Sequence, residues 1–151
     1  KYAKDSLPTN VIDSLNLETL DYIERKPNLR KHSNYDIISK LTYSQLFEEY
    51  IKEFLYENGP LSVGLDGTPL QSYSDGIILY DEWECDKPYV INHGVTMIGY
   101  GVTERGTKFW ICKNSWGSSW GERGYFKMSR GKGTCGINTW VCTAQVEKIE
   151  H

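Results

Sequence analysis

The composition of this 151-residue chain excludes several classes of protein. Hydrophobic residues make up 39% and charged residues 25% of the sequence, which is typical of a folded globular protein of one domain or slightly more. The formal net charge is −3, with no basic stripe and no apolar run of membrane-spanning length. We therefore expect no nucleic-acid partner and no membrane span.

The first strongly patterned segment is a predicted helix over residues 42–60, "TYSQLFEEYIKEFLYENGP". Thr42 and Gln45 have the spacing of a capping box, and Gly59 with the following proline is a stop signal. The helix carries two apolar rows at helical spacing: Leu46, Tyr50 and Phe54, and Phe47, Ile51 and Leu55. The acidic residues between these rows are expected to face solvent.

Downstream of Gly59 the pattern changes to short β-rich runs separated by glycine or charged turns. Five such runs are "PLSVGL", "NHGVTMIGYGV", "KFWICK", "GYFKMS" and "TWVCTAQVE". One helix followed by about five strands predicts an α+β domain with a mostly antiparallel barrel or sheet.

Four cysteines are present, and none are spaced as C-x-x-C, so we expect no zinc or other metal site. Cys85 and Cys135 lie in loop-like sequence, whereas Cys112 and Cys142 lie in apolar runs. The interpretation is one loop disulfide and two buried thiols, which favours an oxidising compartment. Nothing in the sequence indicates a cofactor.

Two segments suggest catalytic chemistry: "NHGVTMIGYG" and "KNSWGSSWGERGYF". His93 and Asn114 lie on two predicted strands joined by a turn around Gly106, so they can meet. An amide oxygen that accepts an imidazole N–H fixes the tautomer of a general base, and Trp116 can cover that hydrogen bond. A lone histidine on a strand is, however, more often structural than catalytic. The pattern alone leaves both interpretations open.

These two segments resemble the histidine and asparagine motifs of papain-like cysteine peptidases. Within that family, the sequence most resembles the cathepsin F-like group. "GTCGINTWVCTAQVE" is similar to the last strand of that family, and "ENGPLSVGLDGTPLQSYSDGII" to the segment that leads to the histidine. The resemblance runs over nearly all of residues 32–151. It implies a papain-like antiparallel β-barrel domain there, preceded in residues 1–31 by a remnant of the helical domain and a connector.

The resemblance also implies roles for particular residues. His93 would be the catalytic histidine and Asn114 the residue that orients it. Trp116 would shield the pair, and Trp120 would lie on the leaving-group side. The substrate pocket would be lined by Gly64, Ile91, Gly94 and Trp140, with Trp140 making it shallow. The family pattern further pairs Cys85 with Cys135 in a disulfide of the barrel domain.

The nucleophile of the family has no counterpart in these 151 residues, since no "CGSCW"-like stretch occurs. The matching part of the family would begin after the oxyanion-hole glutamine and the catalytic cysteine, so we expect a truncation before the barrel half. Cys112, two residues before Asn114, is the alternative nucleophile, but a cysteine buried among apolar residues is normally inert.

Three functional hypotheses follow. The first is a peptidase-like protein that is inactive alone and acts by binding protein or peptide, as a homodimer or with another chain. Asp5-Ser6 favours it, because the family has Gly-Gly there to pair with a substrate backbone. The second is one chain of an active two-chain endopeptidase. The third is an unrelated binding module on a β-barrel. The family also implies a secreted or lysosomal location.

Overall fold

The computed structural model describes residues 42–80, Cys85 and residues 90–144. The α-helix α1 (Tyr43–Asn58) begins at the predicted capping box. Thr42 Oγ1 accepts the Gln45 backbone N–H at 3.3 Å, and Gln45 Oε1 accepts the Thr42 backbone N–H at 2.8 Å. The helix ends at Gly59, whose φ of 86° favours glycine. The helix prediction is confirmed, whereas the predicted division at residue 31 lies outside the described residues.

Six strands form one sheet in the order β2-β5-β4-β3-β1-β6. Their bounds are β1 Leu61–Leu65, β2 Ile77–Ile78, β3 His93–Val102, β4 Lys108–Lys113, β5 Tyr125–Ser129 and β6 Trp140–Cys142. All paired strands are antiparallel except β2 and β5, which are parallel. The α+β prediction with a mostly antiparallel sheet is therefore confirmed. The strand β2 was missed, because two residues are too few to show a periodic pattern.

The helix lies against the sheet over a core of buried apolar side chains. Its largest fully buried members include Trp110, Phe126, Ile51, Leu61, Leu65, Met97 and Met128. Two 3₁₀ turns, Thr68–Ser72 and Thr134–Gly136, connect strands and contribute Leu70 and Cys135 to this core. The first of these turns follows β1 directly and brings the chain back beside the beginning of β3.

Glu48 contradicts the prediction that the acidic residues of the helix face solvent. It is fully buried, and its carboxylate accepts the Trp110 indole N–H at 2.8 Å and the backbone N–H groups of Gly131 and Gly133 at 2.8 and 2.7 Å. Burial raises the pKa of Glu48, and these hydrogen bonds counteract part of that increase. The carboxylate therefore joins α1 to the loop after β5.

Glu49, the next residue, forms a cluster with three cations at the edge of the same interface. Its carboxylate accepts from Arg130 at 2.6 Å, from Lys52 at 2.8 Å and from Lys108 at 3.0 Å. Partial burial opposes ionisation of Glu49, but these hydrogen bonds outweigh it and lower its pKa to about 2. The cluster thus links the helix to β4 and to the end of β5.

The four cysteines fall into three environments. Cys85 and Cys135 form a disulfide, and Cys112 is a fully buried free thiol. Cys142 is free and exposed, so the prediction of two buried thiols is wrong for this residue. The reason is its place on β6, where it pairs with the exposed Ser62 at the edge of the described sheet. An apolar run on an edge strand has one face in solvent.

Candidate active site

His93 and Asn114 meet at one end of the β3–β4 pair. His93 is the first residue of β3, and Asn114 follows the last residue of β4. Because these strands are antiparallel, with Thr96 opposite Lys113, the start of one lies beside the end of the other. The His93 Nε2 and Asn114 Oδ1 atoms are 2.8 Å apart, and Asn114 is buried. The turn that joins the strands includes Gly106, as the sequence predicted.

The Asn114 amide orientation determines which imidazole nitrogen carries the proton. Asn114 Oδ1 also accepts the backbone N–H of Ser115 at 2.8 Å, and a backbone N–H can only donate. The oxygen therefore faces His93, so Nε2 donates and carries the hydrogen. In the neutral ring, Nδ1 then holds a lone pair and can accept a proton. The buried Asn114 Nδ2 has no partner in the part of the chain that the structure describes.

The loop 114–124, which we call the indole loop, places one indole against the imidazole and a second indole against the first. The Trp116 ring lies 4.9 Å from the His93 ring, centroid to centroid, and Trp116 is 39% exposed. The Trp120 ring packs edge-on against Trp116 at 5.2 Å, and its N–H donates to the Leu70 carbonyl at 3.1 Å. The structure thus brings His93, Asn114, Trp116 and Trp120 together, although their chemical roles remain predictions.

Gly67 touches His93 from the turn after β1. A Cβ atom built on Gly67 would lie 2.6 Å from His93 Cβ and 2.9 Å from Cγ, so the glycine is in close contact with the base of the imidazole. Asn92 fixes this approach, since its Oδ1 accepts the Gly67 N–H at 2.8 Å and its Nδ2 donates to Asp66 at 3.2 Å. Sequence reasoning missed all three supporting residues; the one available signal was the position of Asn92, directly before His93.

Asp66 is the acceptor on which this arrangement depends. Its Oδ1 accepts the Thr68 backbone N–H at 3.0 Å in addition to the Asn92 amide. Burial opposes ionisation of Asp66, but the hydrogen bonds from Thr68 and Asn92 outweigh it and hold its pKa below the usual range. An ionised Asp66 therefore fixes the turn that touches His93.

Three of the four predicted pocket residues lie on adjacent strands near His93, and the fourth, Ile91, lies two residues before β3. Gly64 of β1 is opposite Gly94 of β3 and Trp140 of β6. A Cβ atom on Gly64 would lie 2.7 Å from the Ile91 side chain and 3.1 Å from Trp140 Cβ, whereas one on Gly94 would meet nothing within 4 Å. Trp140 is 73% exposed, so most of its indole is in solvent. A substrate role for these four residues remains a prediction.

None of the four cysteines of the sequence offers a free thiol beside His93. Cys85 and Cys135 are joined to each other. Cys112 is opposite Met97, four residues or about 13 Å along β3 from His93. It is fully buried, and burial raises the pKa of its thiol. The structure therefore gives no support to Cys112 as a substitute nucleophile.

Cys142 is equally misplaced. It lies on β6, two strands from β3, and three residues or about 10 Å along the sheet from the level of His93.

Among the described residues there is also no group of three metal-ligating side chains. No helix among them is long and apolar enough to cross a membrane.

Among known proteins, the chain is similar in sequence to cathepsins. Mouse cathepsin W is 33% identical over 143 residues, which cover 82% of this chain and 38% of that protein. Cathepsin L of Sarcophaga peregrina is 45% identical over 95 residues, covering 61% of this chain and 27% of that protein. The chain therefore spans well under half the length of these relatives.

Solved structures of similar sequence have the same fold. Procathepsin L 3 from the larval midgut of Tenebrio molitor matches with a TM-score of 0.55 and 38% identity, over 62% of this chain and 30% of that one. The bromelain protease of Ananas comosus, solved with the E64 inhibitor, matches with a TM-score of 0.53 and 38% identity, over 60% of this chain and 42% of that one.

A family-wide profile covers both halves of the His93–Asn114 pair. The profile, described as papain family cysteine protease, matches residues 16–145. The match includes the turn after β1, the β3–β4 pair and the indole loop, which together build the geometry around the imidazole. This chain belongs to the papain family of cysteine proteases.

Proposed function

We propose that this chain supplies the imidazole–amide half of a cysteine peptidase site, and that a thiol from outside these 151 residues supplies the nucleophile. The observation that carries this proposal is the 2.8 Å contact between His93 Nε2 and Asn114 Oδ1, with the amide held in place by Ser115. A histidine of fixed tautomer, with Nδ1 free to accept a proton, is what a general base requires. The cathepsin F-like resemblance and the truncation remain part of the proposal.

The proposed chemistry uses the free ring nitrogen of His93. Nδ1 takes the proton of the thiol, which gives a thiolate and an imidazolium whose Nε2–H is stabilised by Asn114. The thiolate forms a bond to the peptide carbonyl carbon, and the imidazolium returns the proton to the leaving amine as the C–N bond breaks. Water then hydrolyses the thioester. Oxyanion donors would come from the same part of the protein as the thiol.

The second candidate function is protein binding by a chain that is inactive alone. The observation that favours it is the exposure of two indoles near the site, since Trp140 is 73% and Trp116 39% exposed. Tryptophan is enriched at binding hot spots, and a second copy or a complementary chain would bury both rings. The Cys85–Cys135 disulfide supports an oxidising compartment, secreted or lysosomal, for either function.

A covalent probe separates the two functions. The protein is expressed from its complete coding sequence and treated with the E64 inhibitor, and the modified residue is identified by mass spectrometry; the 151-residue chain is treated in parallel. We expect modification of a cysteine outside this sequence. Replacing His93 with alanine should slow it by at least about 100-fold, the usual size of a lost general base.

Variants of the amide test the orienting role. Asn114→Ala should slow modification about tenfold or more, as expected for a lost hydrogen bond to a charged ring. Asn58→Ala is the matched control, since that amide is exposed at the end of α1 and donates to the Phe54 carbonyl. Modification of Cys142, or a rate that is unchanged by His93→Ala, would contradict the proposed chemistry. A folded protein with no modification at all would favour the binding function.

A further inference from the structure

We propose that Tyr73 and Glu122 are positioning residues for His93 and act on it through Trp120 and Trp116. This inference rests on the proposed function, in which the His93 imidazole is the base. Neither residue touches the imidazole, and neither was singled out by the sequence patterns. An unbroken series of ring contacts connects Tyr73 to His93. One member of this series, Trp116, is partly exposed, so its position depends on its neighbours.

The path begins at a hydrogen-bond cluster formed by Tyr73, Gly76, Glu122 and Lys127, which we call the Tyr73–Glu122 cluster. The Tyr73 hydroxyl lies 2.8 Å from Glu122 Oε1 and 2.7 Å from the Gly76 carbonyl, both acceptors, and accepts the Lys127 backbone N–H at 3.3 Å. Glu122 also accepts the Gly76 N–H at 3.1 Å and the Lys127 ammonium at 2.6 Å. The cluster therefore joins the loop before β2, the indole loop and β5.

The Tyr73 ring connects this cluster to the indole loop. It lies 5.6 Å from the Trp120 ring and is itself buried. Gly121 has a φ of 53°, and a Cβ atom there would lie 3.2 Å from the Tyr73 ring and 2.8 Å from the Tyr125 carbonyl. The backbone of the loop is thus pressed against the tyrosine. Movement of the Tyr73 ring therefore displaces Trp120.

Trp116 is the residue of this path that touches the imidazole. In the described part of the chain, its ring contacts are with Trp120 at 5.2 Å and with His93 at 4.9 Å. Because Trp116 is 39% exposed, burial holds it only in part, and the Trp120 ring is the aromatic contact that can keep it against the imidazole. If Trp120 shifts, Trp116 leaves the imidazole and water reaches the Nε2–H that Asn114 accepts. The base then loses the fixed tautomer and orientation.

The test measures how fast the His93 Nε2 proton exchanges with water, by NMR on the ring-¹⁵N-labelled chain. Tyr73→Phe removes the hydroxyl and leaves the ring. We expect exchange about tenfold faster, the change that corresponds to one lost hydrogen bond of about 1.4 kcal/mol in the closing of the loop. Glu122→Gln should restore part of the protection that Glu122→Ala loses, because the amide oxygen can still accept from Tyr73 and Gly76, whereas the amide nitrogen cannot accept the Lys127 ammonium.

Two controls separate positioning from general destabilisation. Tyr56→Phe removes the same hydroxyl from a side chain that is 80% exposed and should change nothing. Leu55→Ala creates a core cavity in α1, away from the loop, and should lower stability without accelerating the exchange of the His93 proton. If Leu55→Ala accelerates exchange as much as Tyr73→Phe does, the role of Tyr73 is structural and the proposal fails.

The two proposals fail in different ways. If the unaltered chain shows no protected Nε2 proton, the His93–Asn114 arrangement is absent and both proposals are lost. If the proton is protected but Tyr73→Phe leaves its exchange unchanged, the positioning role alone is wrong. If exchange responds as expected while the protein from the complete coding sequence resists E64, the proposed peptidase function is wrong and the mechanical link from Tyr73 to His93 stands.

Discussion

Replacing Gly67 with alanine places a methyl group against His93 and tests how tightly the imidazole is held. Gly67 has φ −84° and ψ −2°, a conformation open to alanine, so the backbone itself opposes nothing. On those grounds the substitution should stabilise the chain by about 0.4–1 kcal/mol, because alanine has less freedom in the unfolded state. The contact with His93 is expected to turn this gain in stability into a loss.

The size of the effect follows from the contact distances. The new Cβ would lie 2.6 Å from His93 Cβ, whereas ordinary contacts are at 3.4–4 Å. The two atoms must therefore separate by about 0.8 Å in a close-packed site. Asn92 holds Gly67 in place at 2.8 Å, so the shift falls largely on His93. Overpacking of this kind costs about 1–3 kcal/mol, which against the gain of about 0.4–1 kcal/mol leaves a net loss of up to about 2.6 kcal/mol, with a midpoint of about 1.3 kcal/mol.

The same shift should break the hydrogen bond of the imidazole. A displacement of about 0.8 Å directed away from Asn114 would lengthen the 2.8 Å contact between His93 and Asn114 beyond hydrogen-bond range. The measurements are the unfolding free energy by urea titration and the ring ¹⁵N shifts of His93. Gly94→Ala is the matched control, because it is the next residue in β3 and a Cβ there meets nothing within 4 Å. If Gly67→Ala behaves like Gly94→Ala in both measurements, the close contact is not real.

Two further predictions concern charge and thiol chemistry. The lowered pKa of Glu49, about 2, means that its stabilisation is present above pH 4.5 and is lost as pH falls towards 2. Glu49→Gln should remove that pH dependence and about 1–2 kcal/mol at pH 7 after solvent screening, with the exposed Glu104→Gln as control, both by chemical denaturation. In the folded chain an aromatic disulfide reagent should titrate Cys142 within minutes, and Cys112 should react on unfolding; two equally fast thiols would contradict the described burial.

The elements of this fold were predictable where the signal was local. The capping box of α1 and the β-rich runs of β3 and β4 each lie within a few residues, and the helix and strands that they predict are confirmed. Glu48 was not predictable in this way. Its partners Gly131 and Gly133 are more than 80 residues further along the chain, so the helix pattern gives no reason to bury that carboxylate. A buried acid with distant donors looks like a solvated acid in sequence.

In the candidate site, too, the residues within short motifs were predictable and those from distant segments were not. His93, Asn114 and Trp116 lie within two short motifs, and their meeting follows from one antiparallel strand pair. Gly67 and Tyr73 reach the site from other segments of the chain, through hydrogen bonds that span 25 and 49 residues. No period or motif marks them, because a glycine in a turn and a tyrosine in a loop are common. Support for a functional residue is therefore harder to predict than the residue itself.

The orientation of His93 is determined by contacts from three separate segments. Gly67 presses on its base, Trp116 lies against its ring and Asn114 accepts its Nε2–H. All three are in the described part of the chain, so they orient the ring without the proposed thiol, and the proposed reaction need not supply that ordering. Changes at these contacts should therefore act on the rate of the proposed chemistry. Trp140 is exposed on β6, which is separated from β3 by β1. Changes at Trp140 should therefore act on the binding of a peptide or protein partner instead.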